Sequence, residues 1–125
     1  AADLDHQGAD ELIALVVHED GGPGELAIWR GGTGTAERTA LPAGVVPLAV
    51  TAVTTRVGAP ATLVIAARAV EDAAMGGLLR ADPDGSGRYA TLVDATTDGF
   101  IDRFEPAAVG LTTADVDGDG LDDLV

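Results

Sequence analysis

The chain has 125 residues, 46% of them hydrophobic, and a formal charge of -14 from 21 acidic against 7 basic side chains. That length holds one modest core; the acidity argues against binding a phosphate backbone, which needs clustered cations; and the absence of cysteine excludes disulfides and thiolate chemistry. There is no basic segment running into an apolar one at the start and no apolar run of about 18 residues, so neither a signal peptide nor a membrane-spanning helix is expected.

In chain order, the first pattern is Asp3-Leu4-Asp5-His6-Gln7-Gly8-Ala9-Asp10-Glu11, where oxygen-bearing side chains alternate before a glycine. A fuller version stands at the other end of the chain. His6 falls between the alternating positions and is expected to be exposed. Leu12 to Val17 is an apolar run of strand length, and the Glu19-Asp20-Gly21-Gly22-Pro23-Gly24 stretch after it is dense turn chemistry, so a hairpin is expected. Its second strand, Glu25 to Arg30, alternates Leu26 and Ile28 against Ala27 and Trp29. Gly31-Gly32-Thr33-Gly34 turns into a third strand near Thr35 to Leu41, and Pro42-Ala43-Gly44 breaks the chain. Val45 to Val53 is a long β-prone run in which Pro47 marks an edge or a bent start.

A shift of 50 residues then lays Gly8-Ala9 on Gly58-Ala59, Leu12 to Val17 on Thr62 to Ala67, and Arg30 on Arg80. This is an internal repeat. Its loop, Val53 to Ala61, has no carboxylate, so no metal is expected there. Strands at Gly76 to Ala81 and Arg88 to Val93 flank Asp82-Pro83-Asp84-Gly85-Ser86-Gly87, which Pro83 and the lack of later ligands mark as a plain turn. Ala66 to Leu79 comes nearest to helical periodicity, with a short helical turn around Val70 to Met75 as the candidate. A longer link, Asp94 to Pro106, feeds a strand at Ala107 to Ala114. The fold class is otherwise all-β.

The last eleven residues begin Asp115-Val116-Asp117-Gly118-Asp119-Gly120-Leu121-Asp122-Asp123, five carboxylates within nine residues. Left unneutralised, they repel by roughly 1 kcal/mol per close pair in water. Side-chain oxygens of Asp115, Asp117 and Asp119, the backbone carbonyl of Leu121 and the carboxylate of Asp123 can converge on one hard cation, with glycines supplying the sharp turn. Calcium is the natural occupant. The bland alternative is a solvated Asp-Gly turn without metal, but alternate-position Asp is more than a turn needs. The loop opens like an EF-hand, yet a twelfth-position glutamate would fall past residue 125, and Leu124-Val125 reads as a strand rather than a helix. In the first loop the matching donors are Asp3, Asp5, Gln7, the Ala9 carbonyl and Glu11. Gln7 is neutral and Glu11 is one methylene longer than Asp123, so that site should bind more weakly.

A repeat of roughly 50 to 60 residues with four short strands is what a β-propeller blade needs. The D-x-D-x-D-G-x-x-D loop between the first two strands of a unit resembles the FG-GAP/VCBS repeat family, the calcium-binding blades of integrin α-subunit-like propellers. The periodicity spans the chain, whereas only Asp115 to Asp123 carries the specific motif; Gly58-Ala59-Pro60 spells part of the family's name but occupies the place of a metal loop. The resemblance implies that Ca2+ stiffens the hairpin and that the assembled propeller serves adhesion or recognition at the cell surface or outside the cell. Units are expected at 1–44 (three strands of one blade), 45–93 (four strands, degenerate loop) and 94–125 (the start of the next, with the metal loop). A propeller closes with roughly four to eight blades, so this chain reads as a fragment whose edges would pair with further blades of a parent chain or with other copies.

An enzyme is not expected. The single serine, Ser86, lies in a Gly-rich turn, His6 and His18 lack metal-binding helical spacing, and G-x-S-x-G, H-E-x-x-H and a Gly-rich loop ending in lysine are all missing. The function expected is a calcium-stabilised module that recognises a protein or glycan ligand. The alternatives are a lectin-like propeller, for which Trp29, Tyr89, Phe100 and Phe104 are few aromatic faces, and a non-catalytic accessory domain of a secreted enzyme. Trp29 is expected to pack between blades.

Overall fold

A computed structural model describes residues 1–31, 34–72, 74–94 and 110–125. Among these residues the fold is all-β, without helix, in three antiparallel sheets. The first sheet is β1 (Leu12–Val16), β2 (Glu25–Trp29) and β3 (Glu37–Ala40), in that order. The second is β4 (Val45–Val53), β5 (Thr62–Ala69), β6 (Gly76–Ala81) and β7 (Leu92–Asp94), and the third is the short pair β8 (Thr113–Ala114) and β9 (Asp123–Leu124). Within each sheet the strands pair with their neighbours in sequence, as hairpin turns of Gly, Pro and Asp dictate.

Strand alternation decides which side chains meet. In the first sheet Ile13 pairs with Ile28 and Leu15 with Leu26, and this face packs on Leu63, Ile65, Ala67, Leu79 and Ala81 of the second. The opposite face of the second sheet carries Val53, Val64, Ala66 and Leu78, which pack against Leu111 and Leu124 beside the third. The three sheets are thus stacked face to face, with β5 covered on both sides. Thr62 to Ala67 are all buried, which explains a continuous apolar run where a half-exposed strand would alternate. Gly24 marks the tightest approach: a Cβ there would lie 2.8 Å from the Val16 carbonyl oxygen and 3.3 Å from the Pro47 ring.

Most strand expectations hold in place, with several corrections at the ends; of the strand expected at Ala107 to Ala114, only Thr113 and Ala114 are strand among the described residues. β7 begins at Leu92 rather than Arg88, because the backbone there is diverted into a loop that lets Tyr89 reach the core. Val70 to Met75 forms no helix among its described residues; Asp72 accepts from the Ala74 amide through its side chain and from the Met75 amide through its carbonyl, which closes a turn. Pro47 is accommodated by a register shift between Pro47 and Ala49. Trp29 is not inserted between described sheets but lies half-buried on the outer face of the first. Most of the Asp94 to Pro106 link, Ala107 to Val109, and the aromatic rings Phe100 and Phe104 lie outside the described residues, as do Gly32 and Thr33 in the turn before β3.

Tyr89 ties the first two sheets together. Its ring is buried, its hydroxyl donates to the Ala61 carbonyl at 2.6 Å, its amide donates to Glu37 and its carbonyl accepts from Thr39. Burial pushes its phenol from the ordinary 10.0 up to about 12, with nearby Glu11 and Glu37 acting in the same direction and Arg30 opposing them. Because the folded value is the higher one, the contribution of this group is complete below pH 10 and is lost as the pH climbs towards about 12. As the only tyrosine, it can be titrated by absorbance without interference; a midpoint near 10 in the folded protein would contradict the burial. Tyr89→Phe is expected to cost about 1–3 kcal/mol in denaturant unfolding, since the Ala61 carbonyl loses its donor in a buried position.

Candidate metal centres

Three loops of equal span are closed by the same kind of antiparallel pair: Ala2 with Glu11, Val53 with Thr62, and Ala114 with Asp123. The structural offset between the first two loops is therefore 51 residues rather than 50. Ala2 thus holds before the first loop the place that Val53 holds before the second.

The first and third loops share their internal wiring. In the third, Asp115 Oδ1 accepts from the amides of Gly118 and Asp119 and Oδ2 from that of Gly120, while Asp117 Oδ1 accepts from Asp119 and Asp123 Oδ2 from Val116. In the first, Asp3 accepts from the Gln7 and Gly8 amides, Asp5 from Gln7, and Glu11 from Leu4 at 2.8 Å. Both loops need two left-handed residues, at Gly118 and Gly120 and at His6 and Gly8. His6 takes that conformation without the freedom of glycine and is held by a 2.8 Å hydrogen bond between its Nε2 and the Ala59 carbonyl. It is exposed, as its position suggested.

This wiring brings Asp115, Asp117 and Asp123 together, with one carboxylate oxygen of each within 4.8 Å of the others, and does the same for Asp3, Asp5 and Glu11. Asp119 is not in the first trio; its Oδ1 accepts from the Leu121 amide at 2.9 Å. Gln7 is exposed, as is Ala9, and Leu121 is half-buried. Both trios have the chemistry of a hard-cation donor set. Their charge balance differs. The Arg30 guanidinium lies 3.9 Å from Asp5 and 3.5 Å from Glu37, whereas no ion pair among the described residues reaches the third loop. All three carboxylates of the Asp115 trio are exposed, and Glu11 is buried, so the first loop is partly neutralised and tied into the core while the third is neither.

The middle loop takes another path, with its left-handed residue at Gly58, and no carboxylate trio is found there. It lies between the other two. The Ala61 amide donates to the Leu4 carbonyl on one side; on the other, Asp122 accepts from the Thr54 amide at 2.7 Å and returns a bond from its own amide to the Thr54 carbonyl. Sequence reasoning missed this role of Asp122. Its signal was present only as a carboxylate outside the alternate ligand positions. Asp82, in the turn read as metal-free, is engaged by Thr62 and Arg80, and Asp84 is held below the usual carboxylate range by hydrogen bonds from Ser86 and Arg88.

Among the described residues, no helix is long and apolar enough to cross a membrane. Comparison with family models, with curated proteins and with solved structures finds no match.

Proposed function

We propose that this chain is a run of β-propeller blades stiffened by Ca2+ and serving recognition of a protein or glycan outside the cell or at its surface. The observation that carries the reading is the convergence of Asp115, Asp117 and Asp123 in an exposed loop with no cationic partner among the described residues. Two further features support it: the four-strand meander of the second sheet, and the stacking of successive sheets with their loops side by side. The module binds rather than catalyses.

In this reading Asp115, Asp117 and Asp123 hold the ion directly, with the Leu121 carbonyl and Asp119 completing the oxygen shell, and the Asp3, Asp5, Gln7, Ala9, Glu11 set is the weaker site. Affinity in the range of extracellular modules, about 0.1–1 mM, is expected because the donors come from one short loop. Calorimetric titration with calcium tests this. The expected result is a main binding event removed by Asp117→Ala and a weaker one removed by Asp5→Ala; no calcium-dependent heat, or a tighter site at Asp3 than at Asp115, would overturn the proposal.

A further inference from the structure

We propose that Arg30 sets the ion affinity of the first loop: its guanidinium stands beside Asp5 as a tethered cation, against which any ion held by Asp3, Asp5 and Glu11 has to bind. The inference rests on the metal reading above and deepens it. Carboxylate number does not separate the two sites, since Asp3, Asp5 and Glu11 converge in one loop and Asp115, Asp117 and Asp123 in the other. The surroundings do. Arg30 Nη1 lies 3.9 Å from Asp5 Oδ2, and no ion pair among the described residues reaches the third loop.

Arg30 follows β2 directly, and its half-buried side chain is fastened by groups outside the loop. Its Nη2 donates to the Gly87 carbonyl at 2.6 Å, its Nε lies 3.5 Å from Glu37, and its guanidinium stands 5.8 Å from the centre of the Tyr89 ring. These contacts hold it at the junction of the first two sheets, and the Asp5 contact is longer than the one to Glu37. An ion that takes Asp5 therefore need not release Arg30, and the two positive charges remain neighbours. A unit charge roughly 6 Å from a divalent ion lowers the binding constant about tenfold in the dielectric of water, and about thirtyfold for a trivalent ion, because the energy follows the product of the charges. Salt shrinks both factors.

Calorimetric titration of the full chain at low ionic strength tests this, with Asp117→Ala in each sample to silence the third loop. Arg30→Gln is expected to bind Ca2+ about tenfold more tightly at the first loop and Tb3+, similar in size but of higher charge, more tightly by a larger factor. Both gains should shrink in about 0.3 M sodium chloride. Arg56→Gln is the control: at the 51-residue offset Arg56 holds the place of Asp5 in the middle loop, is exposed and makes no ion pair among the described residues, so the same change in net charge there should alter the affinity less than about threefold. If Arg30 served only to brace the loop, its loss would weaken both ions alike.

Glu37→Gln carries the test should Arg30→Gln fail to fold. It keeps an oxygen for the Tyr89 amide but leaves Arg30 less neutralised, so the first loop is expected to bind Ca2+ about threefold more weakly; an unchanged affinity would count against the proposal. An affinity in Arg30→Gln equal to or below that of the Asp117→Ala parent, a gain no larger than that of Arg56→Gln, or equal gains for Ca2+ and Tb3+ would overturn the role of Arg30 and leave the metal reading standing. A chain with Asp117 in place that gives no calcium heat from either loop would overturn the metal reading and this inference with it.

Discussion

Replacing Ile65 with alanine is expected to lower the stability of the chain by about 2–5 kcal/mol, a large share of the roughly 5–15 kcal/mol available to a domain. Ile65 is fully buried at the centre of β5, pairing with Val50 on one side and Leu79 on the other. Its side chain faces the first sheet, so truncation leaves a void between two sheets that their hydrogen-bonded ladders prevent from closing. Urea unfolding followed by Trp29 fluorescence measures the loss. Val57→Ala is the internal control: that side chain is 72% exposed, and its removal should change stability by less than about 0.5 kcal/mol. Similar midpoints for the two variants would contradict the stacked arrangement.

The second large effect concerns the third loop, where two aspartates with the same motif role should fail in different ways. Asp115 accepts three backbone amides, so Asp115→Ala removes a cation donor and the fastening of the loop together. Asp117 accepts only the Asp119 amide. In chelator, Asp115→Ala is expected to be less stable than the parent by about 1–2 kcal/mol and Asp117→Ala to be nearly unchanged. In calcium at about ten times the dissociation constant the parent gains about 1.4 kcal/mol, and neither variant should follow it. Thermal unfolding in the two buffers gives the four comparisons. A parent whose midpoint ignores calcium, or an Asp117→Ala variant that gains as much as the parent, would remove the ion from the account.

The strands were legible because their signals are local. Leu26 and Ile28 alternate with Ala27 and Trp29, and Gly-Pro-Asp turns punctuate each run, so strand positions and hairpin order could be read directly. The alternate aspartates also marked two stretches that lie between closing antiparallel pairs. What could not be read depended on distant partners. Glu11 lies in its trio buried beside the closing bridge to Ala2, and its Oε2 accepts from the Leu4 amide, a contact that the loop's own spacing does not announce. Asp119 fits the ligand spacing, and its carboxylate also accepts from the Leu121 amide two residues on. The repeat offset was off by one because Gly8-Ala9 and Gly58-Ala59 match by letter, while the closing pairs fix the register by hydrogen bonds that leave no mark in the sequence. Asp122 and Tyr89 reach across loops separated by many residues, and no local pattern announces such a bond.

The double-sided burial of β5 also carries a cost in time. Leu124, which shields its second face, is made about 60 residues after Val64, a delay of roughly 3–12 s at ordinary rates of synthesis. During that interval Thr62 to Ala67 is an apolar segment with high strand propensity and no charge, the kind that mispairs with its equals on neighbouring nascent chains. Arg68 stands immediately after it, the only charged side chain in the strand, and half-exposed even in the finished fold. Its position is that of a gatekeeper, which breaks an aggregation-prone stretch at its boundary without entering the core. The yield of soluble protein during expression, rather than the stability of the folded chain, is where that arginine should matter.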